Sequence, residues 1–380
     1  MFCSYFSLYI IKILSTLYNQ YVIFSTLLTF QNQSNYCIIF LMKEAYLYQQ
    51  LKDHHVRCLN CSHYCHLGPG QKGICGVRQN IDGKLYSLNF GQIVALNIDP
   101  IEKKPLFHFL PGSLSLSLAA VGCNFKCLSC QNWQISQAGH LTPQTNWGTK
   151  ITPEEIVAIA LKNNIPSISY TYTEPTVFLE YALDTMKIAR KKGLKNIWVS
   201  NGYMSKEALE LISPYLDATN IDLKGFSLAF YRQNCSTTLE PILDNLIAIK
   251  KKKIWLEITT LVIPGLNDDN QSLEGIANFI AQKLGRNTPW HLSQFSGAIS
   301  WKLQDIEDTP VETLKKAYHL GRQAGLQYVY IGNVWEEKYE NTYCPKCGAL
   351  VIERQGYHIT RQDINGHCPT CNYNVLNKTI

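Results

Sequence analysis

The chain has 380 residues, 46% of them hydrophobic and 17% charged, with a net charge of +6 and 14 cysteines. This is ordinary globular composition, long enough for a large core with one or two appendages, and it excludes a small disulfide-stapled secreted domain. The positive charge is spread along the chain rather than gathered into one stripe, so nothing marks a nucleic-acid partner. Residues 1–41 are rich in Ile, Leu, Phe and Tyr, and Lys12 is their single charge. Lys12, Asn19 and Gln20 interrupt the apolar runs, and neither piece reaches the roughly 18 residues of a membrane span. No basic segment leads into a small-residue cleavage site. The text changes abruptly at Met42. The expectation is that the native chain starts there, with 1–41 an extension outside the native fold and no membrane partner.

Residues 42–110 form a cysteine-rich segment. "CLNCSHYCHLGPGQKGIC" sets Cys58, Cys61, Cys65 and Cys75 in a C-x2-C-x3-C-x9-C array. Close C-x-x-C spacing in a large chain reads as metal binding. Four thiolates satisfy either a zinc ion or a second iron–sulfur cluster. Metal thiolates need reduced sulfur, which points to the cytoplasm.

From 111 to 337 the pattern alternates. Strand-like runs occur at 114–121, 167–172, 196–200, 219–223, 254–262, 290–295 and 327–332, with helical periodicity between most of them. The alternation predicts an α/β fold, an open parallel β/α barrel of six or seven units, with the site at the C-terminal ends of the strands. The last module, 338–380, holds Cys344, Cys347, Cys368 and Cys371 at C-x2-C-x20-C-x2-C, the spacing of a zinc ribbon.

"GCNFKCLSCQNW" follows the 114–121 strand and places Cys123, Cys127 and Cys130 at C-x3-C-x2-C. Such a triplet arises by chance about 0.02 times at this cysteine content. Zinc and ordinary iron–sulfur clusters ask for four ligands. Either a fourth cysteine comes from elsewhere, or one coordination position is left open for a small molecule.

On these residues, over about 114–335, the chain resembles the radical S-adenosylmethionine (SAM) superfamily. The resemblance implies a [4Fe–4S] cluster on Cys123, Cys127 and Cys130. SAM chelates the fourth iron and is reductively cleaved to a 5′-deoxyadenosyl radical, which abstracts hydrogen from an unknown substrate. Ser129 stands where an aromatic residue usually packs on adenine. "YTYTEPT" sits at the superfamily's Gly-Gly-Glu-Pro position, with Tyr172 and Thr173 in place of the glycines. Backbone carbonyls there would accept from the ammonium of SAM, and Glu174 would add charge. Ser200 and Asn201 of "VSNGY" either bind a carboxylate or ribose or cap the next helix. Asp222 and Lys224 of "IDLKGF" share a strand face as an ion pair, and the glycyl-radical activating enzymes carry them to the SAM site. His291 either reaches the cofactor or is a buried histidine bonded to backbone.

The flanking motifs, with "YVYIGNV" and the terminal ribbon, are similar to the AmmeMemoRadiSam-system radical SAM enzymes. That likeness implies a reductant such as flavodoxin or ferredoxin, and partners of the Memo and AMMECR types. Two other functions fit the cysteines: a glycyl-radical enzyme activase, and a non-catalytic electron carrier or zinc-dependent scaffold. The last leaves the long β/α body unexplained.

Overall fold

The strand-like runs between 114 and 332 lie side by side as parallel strands of one sheet. The computed structural model describes residues 42–142, 146–334 and 337–376. The expectation for residues 1–41 falls outside the described residues. The sheet has nine strands: β1 Gln92–Pro100, β2 Leu114–Ala120, β3 Thr149–Lys150, β4 Ser167–Tyr170, β5 Lys195–Ser200, β6 Ala218–Asp222, β7 Trp255–Val262, β8 Trp290–Gln294 and β9 Val329–Gly332. Their order is β9-β8-β7-β6-β5-β4-β2-β1-β3. β1 runs antiparallel to β2, and β3 antiparallel to β1. Helices cover the crossovers: α1 Pro153–Lys162, α2 Leu179–Lys191, α3 Lys206–Ile212, α4 Glu240–Lys251, α5 Asn270–Phe279 and α6 Val311–Gln323. At α1 a capping box of Thr152 and Glu155, followed by Pro153 in the first turn, fixes the start.

Side-chain alternation gives the sheet two unlike faces. Leu116, Leu118, Ile168, Tyr170, Trp198, Ile221, Ile258, Leu292 and Ile331 join the helices in the main apolar core. The residues between them are often polar and still buried: Ser115, Ser117, Ser169, Asn220, Glu257 and His291. That polar face is where the chemistry has room to sit.

Its N-terminal half is filled by the chain leaving β1. Ile101, Leu106 and Phe109 pack on Ile197 and Ala218. The Phe107 and His108 N–H groups donate to the Glu257 carboxylate at 3.0 and 2.9 Å, and Asn220 Nδ2 donates to the Pro105 carbonyl at 2.8 Å. The cysteine-rich segment 42–110 also supplies β1 and the plug beneath the sheet. The rest of it folds into two three-stranded antiparallel sheets.

After β9, Thr342–Tyr343, Leu350–Gln355 and His358–Arg361 form another three-stranded sheet. Its Val351 and Ile352 share a small core with Phe107, Tyr328 and Tyr330. Among the described residues, no helix is long and apolar enough to cross a membrane.

Candidate functional site

β2 ends at Ala120 and hands the chain to the three-cysteine loop through Gly122. Gly122 has φ of +106°, and a Cβ there would stand 2.7 Å from Val77 Cγ2. Only glycine allows this turn against the N-terminal segment.

The loop is pinned from several directions. Lys126 N–H donates to the Cys235 carbonyl at 3.1 Å and Leu128 N–H to the Asn234 carbonyl at 2.9 Å. Gln137 Nε2 holds the Phe125 carbonyl at 3.0 Å, and Ser300 Oγ the Leu128 carbonyl at 3.2 Å. His63, from the N-terminal cysteine segment, bonds the Asn124 carbonyl at 2.8 Å. A loop tied on all sides presents its sulfurs in one arrangement.

Cys123, Cys127 and Cys130 are all partly buried. The Phe125 N–H donates to Cys123 Sγ at 3.4 Å. Cys130 Sγ and Ser136 Oγ are 3.4 Å apart. Among the described residues, the trio is not a set whose ligand atoms all lie within 4.8 Å of one another. Three thiolates on one loop can attach to different irons of a cluster. The donor chemistry fits as well, with three soft sulfurs on one loop and an N–H hydrogen bond to one of them.

A fourth sulfur also lies here. Cys235, buried in the one-turn π-helix Tyr231–Cys235, hydrogen bonds to Cys127. That bond, followed by the Lys224 ammonium, holds the Cys127 thiol below its ordinary value, while Cys235 is driven well above it. Cys235 is thus placed as a hydrogen-bond donor to Cys127. Nothing local in the sequence links residue 235 to residue 127.

The next strand end carries "YTYTEP". The strand stops at Tyr170, short of the expected 172, because Tyr172 takes φ of +64°. This is the left-handed region, where glycine costs nothing and tyrosine is strained. The ring is anchored to keep it there. Its hydroxyl donates to Asp99, Asn97 Nδ2 reaches the same hydroxyl at 3.2 Å, and Lys104 Nζ lies 4.6 Å above the ring. The Tyr172 carbonyl accepts from Asn132 Nδ2 at 2.8 Å, and Thr173 Oγ1 donates to the Ala120 carbonyl at 2.7 Å.

Glu174 is buried and fully engaged. Its carboxylate accepts from Thr176 N–H at 3.0 Å, Ser200 Oγ at 2.9 and 3.1 Å, and Asn201 N–H at 2.9 Å. Burial nevertheless pushes its carboxyl above the ordinary value. These bonds make Glu174 a clamp between the ends of β4 and β5. Ser200 serves the clamp. Asn201 Nδ2 turns toward the loop and donates to Asn124 Oδ1 at 2.7 Å. Asn124 itself went unnoticed in the sequence, although it sits inside the motif.

After β6, Lys224 Nζ and Asp222 Oδ2 pair at 2.7 Å, with about a fifth and a third of their side chains exposed. Lys224 is further fixed by its carbonyl, which accepts from Asn267 Nδ2 at 2.6 Å. The structure thus brings the trio, Asn201, Asp222 and Lys224 to the C-terminal edge of the sheet. It does not bring His291 there. His291 is the second residue of β8, at the opposite end, with Nε2 2.7 Å from Glu257 Oε2 and its ring stacked on Tyr330.

The outer cysteine groups differ from each other. In the C-terminal group Cys344–Cys371 and Cys347–Cys368 sulfurs are each 3.6 Å apart, and all four lie within 4.8 Å, as one metal ion requires. Cys58, Cys61, Cys65 and Cys75 instead surround a cavity.

Comparison with known proteins adds the family. The radical SAM superfamily profile matches residues 118–280. The uncharacterized protein MJ0808 of Methanocaldococcus jannaschii is 49% identical over 82% of this chain and 92% of its own length. MJ0674 of the same organism is 24% identical over 72% of this chain and 76% of its length. The (2S)-3-sulfopropanediol dehydratase activating enzyme of Klebsiella oxytoca is 25% identical over 37% of this chain and 46% of its own. With its three-cysteine loop at the C-terminal edge of a parallel sheet, the chain carries a radical SAM superfamily domain and belongs to one family with MJ0808.

Proposed function

We infer that this protein is a radical SAM enzyme acting at Cys123, Cys127 and Cys130, within an open β/α barrel. The carrying observation is the C-x3-C-x2-C trio on a pinned loop at the C-terminal edge of the parallel sheet. When bound, a [4Fe–4S] cluster with SAM on its open iron supplies an electron that splits the sulfonium and yields a 5′-deoxyadenosyl radical for hydrogen abstraction. The chain's own residues orient the reactants. The Tyr172–Thr173 backbone offers carbonyls to an ammonium group. Lys224 and Asn201 offer donors to a carboxylate or ribose. Asp222 keeps Lys224 in place, and Glu174 and Ser200 hold the strand ends in register.

The outer groups serve as metal sites, with zinc at Cys344, Cys347, Cys368 and Cys371 and four-thiolate ligation at Cys58, Cys61, Cys65 and Cys75. The motifs around them support an AmmeMemoRadiSam-system type, with Memo-type and AMMECR-type partners and a flavodoxin or ferredoxin as reductant. A glycyl-radical activase is the second reading, favoured by the relative named as a dehydratase activating enzyme.

Anaerobic reconstitution followed by reduction with SAM present tests the first reading. 5′-Deoxyadenosine is expected, and its loss in Cys127→Ala. Wild-type protein that carries iron yet forms none, or a variant that matches wild type, overturns it. A glycine-radical signal on a co-purified partner selects the second reading.

A further inference from the structure

Asn124 follows the first cysteine of the trio and is 1% exposed. It is fixed at both ends. Its carbonyl is bonded by His63 Nε2 at 2.8 Å, and its Oδ1 accepts from Asn201 Nδ2 at 2.7 Å. Asn201 is fixed in turn. Its backbone N–H donates to Glu174 Oε2 at 2.9 Å, and its Oδ1 accepts from the Tyr203 N–H at 3.0 Å.

These bonds decide which way the Asn124 amide points. Asn201 must turn Oδ1 to Tyr203, so Nδ2 is what it offers to Asn124. Asn124 must answer with Oδ1, because its own NH₂ there would set donor against donor. The Asn124 Nδ2 is left over, buried and without a partner in the protein. A donor shut away from water and from any acceptor is costly, and such a group in a folded chain calls for a ligand or a cofactor that accepts from it.

The surroundings say what that acceptor is. Oδ1 of the same amide lies 3.9 Å from Cys123 Sγ, and Asn201 Nδ2 lies 4.0 Å from that sulfur. The Phe125 N–H already donates to Cys123 Sγ at 3.4 Å. Around a cluster-bound thiolate the acceptors are sulfurs: the cysteine sulfur itself and the sulfides of the cluster.

We propose that the Asn124 side-chain amide donates to a sulfur at the Cys123 corner of the [4Fe–4S] cluster and raises its reduction potential. The inference rests on the radical SAM reading. Reduction by an external one-electron donor takes the cluster from the 2+ to the 1+ state, with no bond made or broken. The added negative charge is shared by the sulfurs, where an N–H donor stabilises it, so removing the donor lowers the potential. The clamp at the strand ends then reaches the redox centre through one run of hydrogen bonds: Glu174 holds Asn201, and Asn201 holds Asn124.

The test compares the anaerobically reconstituted full-length chain with Asn124→Leu, a side chain of nearly the same shape that carries no donor. The readout is the midpoint potential of the cluster, from a redox titration followed by EPR. The variant is expected to have the lower potential. An equal or higher potential in the variant overturns the proposal. A residue that only packed the loop would change how much iron is retained and leave the potential of the retained cluster unmoved. If Asn124→Leu holds no iron, a chain carrying Asn201→Ala and isotopically labelled in its asparagine side-chain nitrogens decides. Pulsed EPR of its reduced cluster should show a coupled side-chain nitrogen, and absence of the coupling overturns the bond. A wild-type chain that binds the cluster but forms no 5′-deoxyadenosine sinks the radical SAM reading and leaves the comparison of potentials standing. Equal potentials in two chains that both form 5′-deoxyadenosine sink this inference alone.

Discussion

Tyr172 shows how one residue departs from a family pattern and is held there. It occupies a left-handed turn where the related motif carries glycine, and Asp99, Asn97 and Lys104 grip its side chain. Tyr172→Ala keeps the strain and loses the grip, while Tyr172→Gly loses the grip and the strain together. The alanine variant is expected to be about 1 kcal/mol less stable than the glycine variant in urea unfolding. Glu174 makes a sharper case. Glu174→Gln places an amide N–H₂ against donors from Ser200, Thr176 and Asn201. A loss of about 1–3 kcal/mol should follow, with weaker retention of iron at the trio, because Asn201 no longer steadies Asn124. Equal stability and equal iron would show that the clamp is dispensable. "TEPT" advertised the glutamate, but which groups it binds was not legible: Ser200 and Asn201 lie 26 and 27 residues on.

Between elements, a buried ion pair of Arg78 with Glu180 joins the N-terminal segment to α2. Both side chains are almost fully buried. Glu180→Gln leaves the guanidinium uncompensated and should cost about 3–5 kcal/mol, read by chemical denaturation. A value near zero would mean that solvent reaches Arg78 once its partner is lost. The strand–helix rhythm predicted these elements well, because parallel strands buried on both sides read as apolar runs. What escaped it was β1. Residues 92–100 precede the rhythm, and only the pairing with β2 shows that they extend the sheet.

For the whole molecule, acid sensitivity follows from the plug beneath the sheet. Burial holds the His108 imidazole down at about 4, from an ordinary 6.5. Glu257 is pushed up by burial, but the hydrogen bond and charge of His291 outweigh this and hold its carboxyl at about 2. Both groups bind protons more readily when unfolded. Stability is therefore full above pH 6.5, falls toward pH 4 as His108 resists protonation, and falls again from 4.5 toward 2 through Glu257. Thermal denaturation followed by circular dichroism should show the two declines, and His108→Asn should flatten the upper one. An unchanged upper decline would locate it in another group. If Cys344, Cys347, Cys368 and Cys371 hold a metal, chelation should also lower the melting temperature, since Val351 and Ile352 share a core with Phe107 and Tyr330 of the plug and β9.

Cysteine spacing and strand–helix periodicity are local properties, and from them the chain declared its parallel sheet and three clusters of thiols, while the superfamily came from the resemblance those motifs carry. Tertiary packing decided what those thiols face. It set Cys235 against Cys127, spread Cys58, Cys61, Cys65 and Cys75 around a cavity while closing the terminal four, and buried His291 at the far end of the sheet. The reason is distance along the chain: spacing records which residues are neighbours in sequence, whereas metal choice and protonation depend on neighbours in space.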